Sequence, residues 1–231
     1  MNNIPTHLAF IADGNRRWAR ERGLPTLNGH KTGFDRIDGL ADECFKSGVK
    51  YVSFYIFSTE NWDRTKEEVS YLMRLAETKI TSLAKKMAKK SVKLAVLGDR
   101  DDPRVPAKLR ESINSAEELT RSGTKGTLAF CFNYGGRQEI AHALQGISES
   151  TNTPDSEITS ELISQHLYHP EIPDADMIIR TSGEQRLSGF LLWRSAYAEL
   201  LFLDKHFPDL TSADIPAILA EYTSRHRRFG K

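Results

Sequence analysis

The run Leu8-Ala9-Phe10-Ile11-Ala12 contains no polar residue and stops abruptly at Asp13-Gly14. Apolar side chains at both odd and even positions hide both faces of a strand, so helices or loops must cover it on each side. Five more β-rich runs follow, at Tyr51–Phe57, Val92–Leu97, Thr127–Phe132, Met177–Arg180 and Leu200–Leu203. With His7–Ala12 they make six strand candidates, separated by helical patterns. That alternation predicts an α/β chain with a mostly parallel central sheet flanked by helices.

The helical patterns are distinct. Phe34, Ile37, Leu40, Ala41 and Cys44 recur at helical spacing before the stop signal Gly48. The longest candidate, from about Lys66 to Lys89, carries Val69, Leu72, Met73, Ala76, Ile80, Leu83, Ala84 and Met87 in one stripe. Lys79, Lys85, Lys86, Lys89 and Lys90 mostly lie elsewhere on it. The stripe suits the border of an apolar ligand channel or an ordinary core face, and the lysines suit solvent or an anionic surface. Thr211-Ser212-Ala213-Asp214 reads as the start of a last helix burying Ile215, Ile218, Leu219 and Tyr222. The segment Glu149–Glu157 reads as a loop.

Length and charge narrow the classes. A chain of 231 residues supports one sizeable core, a single domain over 1–231. Lys and Arg total 32 against 31 Asp and Glu, so binding nucleic acid through overall charge is not expected and any anion site must be a local cluster. No signal-like start and no run of membrane-spanning length is visible, which makes a cytoplasmic location the expectation. Cys44 and Cys131 sit in apolar segments without metal-site spacing and read as buried free thiols.

Polar residues gather after the strand ends, where open parallel sheets build their sites. After the first strand come Asp13, Gly14, Asn15, Arg16, Arg17 and Trp18. A carboxylate there can hold Mg²⁺ and the arginines can bind phosphate oxygens, although Asp-Gly followed by a basic helix start is also an ordinary turn. After the second strand come Ser58, Thr59, Glu60, Asn61 and Trp62, then Arg64. Asn61 can hydrogen-bond a reacting group and Trp62 can wall an apolar substrate, whereas a lone Trp is more often core. After the fifth come Arg180 and Arg186, flanking a Ser-Gly loop that continues through Leu187 and Ser188. Two arginines so spaced suit a diphosphate, or simply a solvated surface loop. His30 can donate to phosphate, and Glu199 places a carboxylate at the edge of a strand.

Taken in order, these clusters resemble the cis-prenyltransferases, the undecaprenyl diphosphate synthase family. The resemblance rests on His7 through Ala19, Gly29-His30-Lys31, Phe57 through Trp62, Asn133-Tyr134-Gly135-Gly136-Arg137, Arg180 through Ser188, and Phe190 through Leu200. It implies the fold of that family, with an elongated hydrophobic product channel. It also implies condensation of isopentenyl diphosphate with an allylic diphosphate, farnesyl or geranyl, to a cis-polyprenyl diphosphate that serves as a lipid carrier for cell-wall synthesis. By the same resemblance, Asp13 takes Mg²⁺ and diphosphate, and Gly14, Asn15, Arg16, Arg17 and His30 hold the allylic diphosphate. Arg180, Arg186 and Ser188 hold isopentenyl diphosphate, Glu199 helps place the metal, and Ser58, Asn61, Trp62, Arg64 and Glu68 line the reaction centre. Asn61 matches the position proposed for proton removal, for which an amide is a poor base and a phosphate oxygen is an alternative. The family is usually dimeric, so a homodimer is implied, and Arg228 and Gly230 match a tail that approaches a partner's site.

Departures from the family pattern also carry expectations. Thr26 stands where many relatives have a phosphate-binding arginine, while Thr65 and Gly189 replace a frequent Pro and Asn. Ile56 replaces a small residue just before Phe57-Ser58, and its bulk would stop elongation early if it faced the channel. A long product would need a bilayer to leave, since each buried CH₂ contributes about 0.8 kcal/mol. Peripheral membrane association follows as an expectation. Two other readings are a phosphatase or nucleotide-binding protein, and a partner subunit without a site. The chain lacks a Walker-type loop and a Gly-x-Gly-x-x-Gly turn after the first strand, and it retains Asp13, Asn61, Arg180, Arg186, Ser188 and Glu199, which speaks against both.

Overall fold

The computed structural model describes residues 4–150 and 158–225. Six strands, β1 (His7–Ile11), β2 (Tyr51–Ser58), β3 (Val92–Leu97), β4 (Gly126–Tyr134), β5 (Met177–Arg180) and β6 (Glu199–Phe202), form one sheet in the order β3-β4-β2-β1-β5-β6. Every pairing is parallel. The six runs expected from sequence are thus all strands of the one sheet. The chain steps from β1 to β2 on one side, and later from β4 across to β5 on the other side of β1. The order of strands therefore reverses at β1, and the carboxyl ends of β1 and β5 are the usual place for a ligand in such a sheet.

Register explains which face is packed by what. Phe10 lies opposite Phe54, Phe54 opposite Phe130, and Phe130 opposite Val96, so one row across the sheet is bulky. The adjacent row is Ala9, Ser53, Ala129 and Ala95. Bulky side chains face the helices α2 (Thr26–Lys46), α3 (Lys66–Lys89) and α4 (Ala107–Thr120), where they join one large apolar cluster. Small ones face a second cluster around Tyr55, Phe190 and Leu191. The sheet is covered on both faces, as the continuous apolar runs require.

The stripe of α3 belongs to the large cluster, with Leu72, Met73, Ala76, Ile80, Leu83, Ala84 and Met87 all buried and Val69 packed at its margin. It is a core face, and in the same cluster Phe10 stacks on Phe54 at 5.0 Å between centroids while Phe207 meets Phe54 edge-on at 6.1 Å. Three of the five lysines flagged along α3 reach across to α2. Lys79 pairs with Asp35 of α2, Lys86 with Asp38 at 2.7 Å, and Lys90, just past the helix, with Asp42 at 2.6 Å. These ion pairs zip α2 to α3, which leaves less of that face for an anionic surface than the sequence suggested.

The remaining helices are α1 (Asn15–Glu21), α5 (Gly136–Ser150), α6 (Ser160–Gln165) and α7 (Ile215–Ser224). Thr211 and Asp214 cap each other reciprocally just before α7, whose Ile215, Ile218 and Tyr222 are buried. Glu149 and Ser150, expected in a loop, instead close α5, and the rest of that segment lies outside the described residues. Both cysteines are free and buried, and burial raises the Cys44 thiol to about 12. Among the described residues no helix is long and apolar enough to cross a membrane.

Candidate functional site

The apolar run of β1 ends at Ile11, and the chain turns at Gly14, whose φ of 92° is left-handed. A Cβ on Gly14 would also overlap Ser182 Oγ and His206 Nδ1, so only glycine fits. Behind it Ser182 Oγ and His206 Nδ1 lie 2.7 Å apart, and His206 Nε2 lies 3.0 Å from Glu21 Oε1. Asp13 Oδ1 accepts from the Gly14 N–H, and Asp13 Oδ2 accepts from Arg180 Nη2 at 2.8 Å. Burial, the largest single influence on this carboxyl, raises its pKa. The Arg180 and Gly14 hydrogen bonds and the charges of Arg180 and Arg17 together outweigh it and hold the pKa below the usual range. Asp13 is therefore an anion at neutral pH.

The loop after β5 is tied directly to the first one. Thr181 Oγ1 donates to Asp13 O at 2.7 Å and lies 3.0 Å from the Asp13 N–H. Arg180 is buried, yet its Nη1 donates to Ser188 Oγ at 2.9 Å and to the Arg186 carbonyl, and its Nε has no protein partner. A buried guanidinium with a donor to spare is equipped to take an anion. Arg186 is exposed and pairs with Glu184, as does Arg17.

The third group follows β2. Asn61 Oδ1 accepts from the Ser58 N–H at 3.2 Å, closing a reciprocal cap over the turn Thr59–Asp63. Arg64 Nη1 and His30 Nε2 both reach Glu68 Oε1, at 3.0 and 3.1 Å, and Arg16 stands 4.0 Å from Glu68 Oε2. Burial and then the Arg64 charge hold the His30 pKa below its ordinary value despite Glu68, so its ring is neutral at neutral pH. Glu68 faces inward and organises Arg64, Arg16 and the neutral His30 rather than presenting a carboxylate to a ligand.

These groups surround a cavity of about 460 Å³ lined by Asp13, Asn15, His30, Tyr55, Ile56, Phe57, Ser58, Glu60, Asn61, Arg64, Arg180 and Ser188. It adjoins a second hollow of about 410 Å³ over Gly14, Arg16, Arg17 and Arg20, sharing Asp13, Asn15, His30 and Arg64 with it. Ile56 is on the wall because β2 is bulged there. Tyr55 pairs with Cys131 and Phe57 with Phe132, leaving Ile56 as the extra residue, re-aimed toward the cavity.

Several candidates stand elsewhere. The Trp18 indole donates to Asp209 at 2.6 Å with Arg22 stacked over it, away from both hollows. The Trp62 indole donates to Asn133 Oδ1 at 2.7 Å, with Arg104 over its ring and Phe57 in a T-shaped contact, so it supports the turn carrying Asn61 from behind. Thr59 and Leu187 are only partly exposed and do not line the cavity. Glu199 is not brought to Asp13. It lies at the amino end of β6, level with Met177 and Leu8, and pairs with Arg225 at 3.0 Å. Glu199 precedes the run Leu200–Leu203, so the strand direction puts it at the opposite end of the sheet from the residues that follow β1, β2 and β5. Arg228 and Gly230 lie outside the described residues. Sequence reasoning missed Tyr55, and it quoted Thr181, Glu184 and Asn133 within motifs without giving them a role. Glu184, between two flagged arginines, had the clearest local signal for a role, whereas Tyr55 inside an apolar strand had none.

Among the described residues no three His, Cys, Asp or Glu side chains converge on one point. Asp13 and Glu60 are the carboxylates on the cavity wall, and of the two Asp13 is the one set between the two loops, facing Arg180 and Arg17. That suits a hard divalent cation held by one carboxylate, substrate phosphates and water, and it does not suit a structural metal cage.

Residues 11–230 match the model of the undecaprenyl diphosphate synthase family, Prenyltransf. An isoprenyl transferase of Thermotoga maritima is 42% identical over 98% of this chain and 97% of its own. A ditrans,polycis-undecaprenyl-diphosphate synthase of Micrococcus luteus, specific for (2E,6E)-farnesyl diphosphate, is 39% identical over 98% and 92%. Lavandulyl diphosphate synthase of Lavandula x intermedia, solved with dimethylallyl diphosphate, superposes with a TM-score of 0.94 at 33% identity over 99% of both chains. Two arginine-bearing loops converging on one carboxylate, a sheet of this order and these likenesses along the whole chain agree: the chain belongs to the undecaprenyl diphosphate synthase family of cis-prenyltransferases.

Proposed function

We propose that the protein condenses isopentenyl diphosphate with an allylic diphosphate, the latter held by the loop Asp13–Arg17 and the former by Arg180, Arg186 and Ser188. The observation that carries this reading is the contact between the loops: Arg180 of one reaches Asp13 of the other at 2.8 Å, so two diphosphates would lie side by side. As the allylic C–O bond breaks, charge grows on the departing diphosphate, and Arg16, Arg17 and His30 border the hollow where it would grow. The acceptor's double bond forms the new C–C bond at that allylic carbon and a proton then leaves the acceptor. Asn61 Oδ1 already accepts from Ser58 N–H, which supports a positioning role for the amide and a phosphate oxygen as proton acceptor. Mg²⁺, bound through Asp13 and the diphosphate, would neutralise the leaving group's charge.

Incubation with labelled isopentenyl diphosphate, farnesyl diphosphate and Mg²⁺, followed by product sizing, tests the reading. Asp13→Ala should lower turnover about a hundred- to a thousandfold with the fold intact. Full activity in that variant would refute the assignment. The name of the Micrococcus luteus relative supports a long polyprenyl product, a lipid-carrier precursor. A second reading, a shorter product, is favoured by Ile56 on the cavity wall with the Phe10–Phe54 stack among the core residues beside it. In the same assay Ile56→Ala should lengthen the product by at least one isoprene unit. An unchanged ladder of products removes Ile56 as the stop. A homodimer is the assembly this reading carries, supported by the edge strand β6 with Leu200 exposed on it, and a solution mass near one chain would exclude it.

A further inference from the structure

The charged side chains of the two loops form one unbroken series. Arg180 meets Asp13 Oδ2 at 2.8 Å, Arg17 Nη2 stands 3.4 Å from Asp13 Oδ1, and Arg17 Nη1 donates to Glu184 Oε1 at 3.0 Å. Glu184 Oε2 then accepts from Arg186 at 2.5 Å. Three cations alternate with two anions, so without substrate the site neutralises most of its own charge. Asp13 has a cation to bind, but nothing in the reaction needs Glu184. Its two oxygens are divided between Arg17 on the first loop and Arg186 on the second, and Gly183 beside it has a left-handed φ of 73°. Arg186's hydrogen bond and charge keep the Glu184 carboxyl ionised at neutral pH.

We infer that Glu184 is a shared internal counter-anion that couples the filling of the two diphosphate subsites. The inference rests on the assignment of the two loops made above. A diphosphate arriving at either arginine competes with Glu184 for it and repels the carboxylate, which turns outward to solvent. The other arginine is then released before its own ligand arrives. Each substrate thereby tightens the other, and the coupling is reciprocal. Exposed pairs of this kind are weak, so the expected effect is about two- to fivefold in affinity.

The test is calorimetric titration of the full chain at saturating Mg²⁺ with isopentenyl diphosphate and a non-reacting allylic thiolodiphosphate, each alone and each with the other saturating. In the unmodified chain each should tighten the other about two- to fivefold. Glu184→Gln keeps the shape and removes the charge. It should bind each ligand alone more tightly by a similar factor and abolish the mutual effect. Unchanged coupling in Glu184→Gln, or weaker binding of the single ligands, overturns the inference. Arg17→Gln and Arg186→Gln separate the two levels of argument. If the first leaves the allylic analogue unaffected and the second leaves isopentenyl diphosphate unaffected, the loop assignment itself fails, whatever Glu184 does.

Discussion

His7 illustrates how one side chain sets a condition on the fold. Its ring is fully buried under the sheet, with Nδ1–H donating to Pro173 O at 2.9 Å, which leaves Nε2 to accept from Ser53 Oγ–H at 2.7 Å. Burial holds its pKa down at about 4, against an ordinary 6.5. As pH falls through 6.5 the unfolded chain takes up a proton here while the folded chain does not until near 4. The stabilisation is whole above 6.5 and lost across that window, by about 3 kcal/mol. Urea midpoints at about pH 7.5 and pH 5 should fall less steeply in His7→Gln than in the unmodified chain, and parallel losses would refute the account. Position made Asp13, Asn61 and Arg180 legible in the sequence, because each stands at or just past the end of an apolar strand run, and His30 became legible through the motif Gly29-His30-Lys31. Direction was not legible. Trp18 and Trp62 have the right neighbours for a substrate wall, yet each spends its indole N–H on a partner, Asp209 or Asn133, nearly two hundred or about seventy residues away. Long-range hydrogen bonds of that kind leave no local trace.

At the scale of elements, the first loop owes its position to how closely α1 and α2 approach. A Cβ on Gly33 of α2 would overlap Asn15 Oδ1, a buried oxygen with no hydrogen-bond partner, and one on Gly29 would overlap the Asn15 carbonyl. These two glycines, four residues apart on one face, let a helix backbone lie against the start of the loop that follows β1. Gly33→Ala should displace Asn15 and its neighbours and raise the KM for the allylic diphosphate about tenfold, with a smaller effect on isopentenyl diphosphate. Equal effects on both substrates would mean a general loss of structure instead. Elements themselves were the most legible level. All six strands and the long α3 follow from apolar period, because buried parallel strands have no polar face to confuse the pattern. The bulge at Ile56 was invisible, since an extra residue inside an apolar run looks like any other member of it. The end of α5 was misplaced because Ser and Glu at a helix terminus resemble the loop that follows.

At the scale of the whole molecule, the second loop is fastened through a buried ion pair that no motif announced. Arg194 and Glu139 are almost inaccessible and lie 2.6 Å apart. Tyr134 O–H donates to the same carboxylate at 2.5 Å, and Arg194 Nη2 donates to Tyr168 O at 2.7 Å. The strand end β4, helix α5 and the segment after Ser188 are thereby locked together beneath the site. Arg194→Met leaves Glu139 buried and uncompensated and should cost about 3–5 kcal/mol by denaturant melts, whereas removing both charges in Arg194→Met/Glu139→Leu should cost less than that single change. If the double variant is the less stable, the pair stabilises by more than mutual neutralisation. The same assembly has a metric consequence. The two arginine-bearing loops leave neighbouring strands, with Ile11 of β1 in register with Arg180 of β5. Their separation is consequently one interstrand repeat, about 4.8 Å, fixed by the backbone lattice rather than by any side chain. Such a spacing acts as a constant ruler. It is the same at every turn of a repeating condensation, however long the growing chain has become.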